Sequence, residues 1–342
     1  MANQILDNFQ NLPQAFTYSD FILQNSTNQY SKFLALNIIE NSVKREWNLF
    51  QNEMKTSVRN FIIDLCLKLV NDDNLAKQNS VLINKFNIVI VAIAKNDWTT
   101  IWPNFISELC QSANFSTNIC CNNMKILQLF SEEINTFWKD SFTQKKANEL
   151  KNKMSQEFIQ VLYLCQNVFD NAQKLGNAVL LDGLKLYAEY SYWFPVNYVF
   201  DQKILGTLFS QIKSTDVQIK MQIIRCLGKI MSYAIEENNN EFFTVKKVVM
   251  EIYKNLLIEA NNTTKGRNII EFAKQNALFE QFCLELELSI IQFFQSNFKF
   301  IEQNDFQIGT QNGNDFSNNY GESLVTGLKY MIIFLQLSND EI

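Results

Sequence analysis

Apolar residues recur at steps of three and four along this chain, and that spacing commits it to helices. Leu36, Ile39, Val43 and Trp47 form one stripe, and Leu82, Phe86, Val89 and Ile93 a second. Leu127, Phe130, Ile134 and Trp138 form a third, and Phe242, Val245, Val249, Ile252 and Leu256 a fourth. Residues so spaced share one face of an α-helix. A sheet protein would need turn residues in quantity, yet the 342 residues include only 9 Gly and 3 Pro.

The pattern predicts helices over 2–12, 14–25, 28–45, 51–70, 75–96, 100–112, 117–138, 143–171, 174–193, 197–212, 216–235, 241–260, 266–301 and 321–338. Polar runs separate them at Asn71–Asn74, Glu236–Glu241 and Gln303–Tyr320, and Pro13, Pro103 and Pro195 stand at helix boundaries. Consecutive helices pair at intervals of roughly 40 to 47 residues, the spacing of HEAT-type repeats. No such helix buries its stripe alone, so stacking completes the core. The expected fold is an all-α, HEAT-repeat-type α-solenoid, a right-handed superhelical stack of about seven helix pairs.

Composition narrows function by exclusion. The net charge of −5 and dispersed Lys and Arg give no phosphate-binding patch, so no direct nucleic-acid partner is expected. The longest apolar run, Ile88–Ala94, is far short of a membrane span, and the N-terminus lacks a secretory pattern. The chain is therefore read as soluble and intracellular, with no membrane partner. Seven Cys without a Cys-x-x-Cys pair read as reduced, mostly buried thiols.

Histidine is absent. Its loss removes the Ser-His and Cys-His dyads and most transition-metal sites. Glu132 and Glu133 are adjacent on a helix and point apart, so they do not form a catalytic carboxylate pair. Gly309–Gly313 lacks the Lys-Ser/Thr ending of a phosphate loop. No catalytic residue, cofactor or metal is expected, and the protein is not read as an enzyme. Trp98, Trp102 and Pro103 read as a structural corner, with both rings expected on one helical face.

Three segments carry a family resemblance. Ser31–Trp47 has Leu36, Ile39, Glu40, Asn41, Lys44 and Trp47 in the register of an importin-β N-terminal motif. Trp98-x-x-x-Trp-Pro-x-Phe-Ile-Ser and Asn122-Asn-Met-x-Ile-Leu-x-Leu-x-Ser-Glu-Glu133 follow. Weaker similarity runs through Phe158–Gln166, Trp193-x-Pro195 and Lys203-x-Leu205. Together they resemble the exportins for leucine-rich nuclear export signals, in the importin-β (karyopherin-β) superfamily. Thr99 stands where that family often has Pro, and family members usually carry a further helix before Ala2.

The resemblance implies a nuclear export receptor that shuttles between nucleus and cytoplasm. It divides the chain into an importin-β N-terminal-type region (1–50), exportin N-terminal HEAT-type repeats (51–302), a flexible polar loop (303–320) and a helix of a following repeat, cut short (321–342). The family's inner helices face the GTP-bound form of the small GTPase Ran. They correspond to 28–45, 75–96 and 117–138, with Lys32, Asn37, Glu40, Lys44, Asn84, Asn122, Asn123, Lys125 and Gln128 as exposed candidates for Ran contact. Outer helices imply contacts with phenylalanine-glycine nucleoporins. The exportins are much longer, and their cargo groove with its reactive Cys lies past the matching region. Export-signal cargo is therefore expected only in a longer form. The competing reading is a HEAT-repeat scaffold with protein partners and no transport role.

Overall fold

The computed structural model describes residues 9, 15–98, 100–141, 144–237, 239–303 and 315–338, with side chains left out over 135–156, 315–319 and 338. Among the described residues every regular element is a helix. The chain divides into two compact units, Met1–Leu164 and Cys165–Ile342.

In unit 1, α1 (Ala15–Asn25) packs on α2 (Gln29–Arg45). A 3-10 turn at Trp47–Leu49 leads into α3 (Asn52–Val70), α4 (Asp73–Gln78) and α5 (Ser80–Asp97). Then come α6 (Phe105–Ser112), α7 (Thr117–Ser141) and α8 (Gln144–Asp170), within which the unit boundary falls. Helix α3 packs on α5 and α6 on α7, while α2, α5 and α7 lie side by side. The result is two layers of paired helices.

Unit 2 repeats the plan. Its elements are α9 (Ala172–Leu175), α10 (Asn177–Tyr190), α11 (Val196–Val199), α12 (Gln202–Gln211) and α13 (Val217–Met231). They continue as α14 (Phe242–Thr264), α15 (Ile269–Gln275), α16 (Ala277–Gln303) and α17 (Asp315–Ser338). Here α10, α13 and α16 lie side by side, and α14 packs on α13 and α17.

The four stripes go where periodicity sends them. All of their residues are buried, save Trp138, whose side chain lies outside the described residues. Each fully buried Leu, Ile or Phe contributes about 1.5–3 kcal/mol. That exceeds the differences in helix propensity between ordinary residues, which stay below about 0.7 kcal/mol, so packing holds these helices. Side-chain caps set several starts: Asn28, Asp72, Asp201, Asp216 and Asn268 each accept from backbone N–H groups of the first turn.

Helix boundaries differ from the sequence expectation at identifiable residues. Gly176, at φ +87°, splits 174–193, because only glycine takes that conformation without strain. Asn276 splits 266–301, being extended and accepting from the Phe279 N–H at 3.1 Å. Such a side chain competes with the helical backbone. Asp201 divides 197–212 by capping a new helix. The predicted helix 100–112 starts only at Phe105, because the Asp97 carbonyl takes the N–H groups of Thr100, Ile101 and Trp102 in a turn before Pro103. Within the polar stretch 303–320, residues 315–320 are helical. Gln303 ends α16, while residues 304–314, Pro13 and nearly all of 2–12 lie outside the described residues.

Helices α13 and α16 approach closely at Gly228, where an added Cβ would sit 2.6 Å from Ser289 Oγ and 3.1 Å from its Cβ. Ser289 Oγ donates to the Ile224 carbonyl at 3.2 Å, so it is held in place. Gly→Ala inside a helix ordinarily stabilises by roughly 0.5–1 kcal/mol, whereas overpacking costs about 1–3 kcal/mol. The clash should win: Gly228→Ala is expected to lower the thermal midpoint, and adding Ser289→Gly to recover part of the loss. A single variant as stable as wild type would contradict this close approach.

Candidate functional site

Helices α2, α5 and α7 present one polar surface, tied together by charge. Glu40 on α2 accepts from Lys44 on its own helix and from Lys85 on α5. Farther along, Lys95 on α5 pairs with Glu133 on α7 at 2.8 Å. Between these pairs lies a cleft of about 300 Å³, lined by Glu40, Lys44, Lys95 and Glu133 with Ile88, Val91 and Leu129 on its floor.

The two halves of the Glu40 arrangement differ in weight. The Lys44 side chain is 57% exposed, and exposed i,i+4 pairs contribute little. The Lys85 side chain is 9% exposed and its ammonium also lies 5.2 Å from the Phe33 ring centroid, so it carries the link between α2 and α5. Burial alone would raise the Glu40 carboxyl, but hydrogen bonds and charge from Lys44 and Lys85 hold it below its ordinary value.

Beneath this surface the seams are polar and buried. Asn87 on α5 and Asn122 on α7 exchange side-chain amide hydrogen bonds of 2.9 and 3.2 Å, and Cys66 on α3 touches both. Asn123 donates to the Leu109 carbonyl at 2.9 Å and to Ser112 Oγ at 2.8 Å, satisfying the end of α6. At the far end Trp47 Nε1 donates to Asp97 Oδ1 at 2.8 Å. Burial raises the Asp97 carboxyl, against the Trp47 hydrogen bond and the charges of Lys55 and Arg59.

These positions sort the sequence candidates. Lys44, Asn84 and Lys125 are exposed, and Lys32, Asn37 and Gln128 are partly exposed. Glu40, Asn122 and Asn123 are buried, and of the three Glu40 lines the cleft. In a chain this rich in Asn, residue type does not separate an amide that seals a seam from one that faces water. Ile88, Lys95, Leu129 and Glu133 complete the cleft and were not among the candidates. The signal was present: Lys125, Leu129 and Glu133 follow at i, i+4 and i+8, and Lys95 is seven residues after Ile88.

The tryptophan corner is buried but its rings part company. Helix α5 ends at Asp97, so the two do not share a helical face. Trp98 stacks on Phe158 at 6.1 Å, meets Phe130 edge-on, and donates to Glu157 at 2.8 Å. Trp102 packs on Phe105, lies under the Arg59 guanidinium and donates to Glu108 at 2.8 Å. Burial pushes the Cys66, Cys110 and Cys283 thiols up to about 12, so they stay protonated. No described helix is long and apolar enough to cross a membrane.

Two family profiles match this chain: the importin-beta N-terminal domain over residues 2–68 and exportin 1-like protein over 79–227. Helices α2, α5 and α7 all fall within these spans. Exportin-1 of Schizosaccharomyces pombe is 28% identical across 90% of the chain, but the match spans only 28% of that protein. Exportin-1 of Drosophila melanogaster is 32% identical over 73% of the chain and 23% of its own length. Exportin 1B of Arabidopsis thaliana is 29% identical over 100% of the chain and 30% of its own length. The chain thus spans less than a third of each of these relatives.

The Glu40 pKa direction gives a pH test. Its folded value lies below the unfolded one, so its contribution is full above the ordinary carboxylate value of 4.5 and fades as pH falls through the folded value. Glu40→Gln should cost about 1–3 kcal/mol at neutral pH, chiefly by leaving Lys85 poorly paired. The wild-type and variant thermal midpoints should converge on acidification. Midpoints that differ by the same amount at every pH would rule out this ion pair as the cause.

Proposed function

The chain belongs to the exportin 1-like proteins of the importin-β superfamily, and on that premise we propose that it acts as the N-terminal arm of a nuclear export receptor. In this reading it binds the GTP-bound form of Ran and shuttles between nucleus and cytoplasm. The observation that carries the reading is the ion-paired surface of α2, α5 and α7 within the two matched regions. A surface held in register by buried links presents charge in fixed positions, which suits recognition of an ordered partner. GTP-bound Ran differs from the GDP form in the order of its switch segments, so a rigid matching surface discriminates between them. Lys32, Asn37, Lys44, Asn84, Lys125 and Gln128 are the proposed contacts, with Lys95 and Glu133 added from the cleft. Glu40 positions Lys44, while Asn122 and Asn123 hold the helices.

Phenylalanine-glycine nucleoporins are a proposed second partner. An apolar groove of about 350 Å³ lies between α3 and α6–α7, lined by Ile63, Leu67, Leu109, Phe115, Ile119 and Ile126. It has the size and chemistry to take a phenylalanine ring.

The decisive comparison is retention of GTP-loaded against GDP-loaded Ran on the immobilised chain. GTP-loaded Ran should be retained preferentially. Replacing Lys44 and Lys125 together by Glu should slow association about tenfold or more at low salt, with the effect shrinking as salt rises. Equal retention of both forms, or of neither, would favour a scaffold without transport role. Cargo gives a separate expectation: a fluorescent leucine-rich export peptide should show no saturable binding, because the cargo groove is proposed to lie in repeats beyond these. Micromolar or tighter binding would place a groove within this chain.

A further inference from the structure

Unit 2 holds a cleft of about 520 Å³ that the export reading does not use. It forms where the loop after α12, the first turn of α13, the end of α14 and the α15–α16 junction converge. Its floor is apolar, with Phe272, Phe279 and Phe282. Its cations are Lys213, Lys220 and Arg267, and its one acid, Glu259, is already paired with Lys220 at 3.1 Å. Among the described residues neither Lys213 nor Arg267 has a carboxylate within ion-pair distance. The cleft is therefore net positive in a chain of net charge −5.

Arg267 is placed for recognition. It follows Gly266, whose φ of +74° turns the chain sharply after α14. Its guanidinium carbon lies 4.5 Å from the Phe272 ring centroid and 5.6 Å from that of Phe279. These ring contacts place the guanidinium beside the phenylalanine floor, and its N–H fork matches a carboxylate in a bidentate pair. Thr263 Oγ1, also in the lining, is buried and lacks a hydrogen-bond partner among the described residues. A buried hydroxyl left so is costly.

We infer that this cleft binds an acidic linear peptide, seating a carboxylate on Arg267 and an apolar side chain on the phenylalanine floor. An apolar floor beneath a few cations favours a peptide over nucleic acid, which needs a longer row of phosphate contacts. The inference does not depend on Ran binding.

The experiment titrates the whole chain into a fluorescein-labelled peptide of alternating Glu and Leu/Phe residues and reads anisotropy. The same peptide with Gln for Glu is run beside it. The Glu peptide should saturate and weaken with salt, and the Gln peptide should bind about tenfold more weakly or worse. Arg267→Glu should lose about tenfold or more in affinity, with Arg267→Lys in between, because lysine keeps the charge but not the fork. If Arg267→Glu loses helicity by circular dichroism, Lys213→Glu on the exposed rim replaces it, with a several-fold loss expected. Equal affinity for the two peptides, no saturation by the Glu peptide, undiminished binding by the folded charge-reversed variant, or tighter binding of a single-stranded oligonucleotide would each overturn the assignment.

Discussion

A helix with one apolar face is unstable alone in water, and nearly everything in this structure follows from that constraint. Leu36, Ile39, Val43 and Trp47 need a cover, which α1 and α5 provide. Helix α5 is in turn covered by α3 and flanked by α7. Because each helix satisfies its neighbours and leaves new surface beside itself, the pattern propagates by stacking. The three side-by-side helices of each unit are the product of that propagation, and the polar faces they share come from what the stripes leave over.

Apolar packing alone would let neighbouring helices slide. Buried polar contacts fix the register instead. In unit 1 the Glu40–Lys85 pair sets α2 against α5, and the Asn87–Asn122 exchange sets α5 against α7. In unit 2, Ser289 reaches the Ile224 carbonyl and Asn297 the Met231 carbonyl, while Lys246 bonds Asn297 at 2.7 Å. Such a hydrogen bond adds only about 0.5–1.5 kcal/mol net when made, but leaves a buried group costing about 1–3 kcal/mol when broken. The asymmetry penalises every shifted register. Burial accordingly lowers the Lys246 pKa, its partner being a neutral amide.

This division of labour bears on function. The registered helices α2, α5 and α7 hold separated charges at constant spacing, as the proposed role requires. Lys44 and Lys95 reach the surface while the acids that orient them, Glu40 and Glu133, belong to the links between helices. The polar surface of α2, α5 and α7 is therefore partly made of the same ion pairs that stabilise the stack.

The helices and their apolar faces were legible in the residue order, because a step of three or four leaves an extended strand no consistent face. The same order also determined the family, through segments such as Trp98–Ser107 and Asn122–Glu133 that architecture alone does not require. Which polar residues reach the surface depended on how the helices pack. Asn122 and Lys125 are three residues apart on one helix, yet the first is sealed against Asn87 and the second faces water. Tertiary structure also decided where helices break, as at Asn276, and which distant charges meet, as Lys95 and Glu133 do. The physical reason is that periodicity fixes a side chain's direction from its own helix axis. The neighbour waiting in that direction comes only from packing.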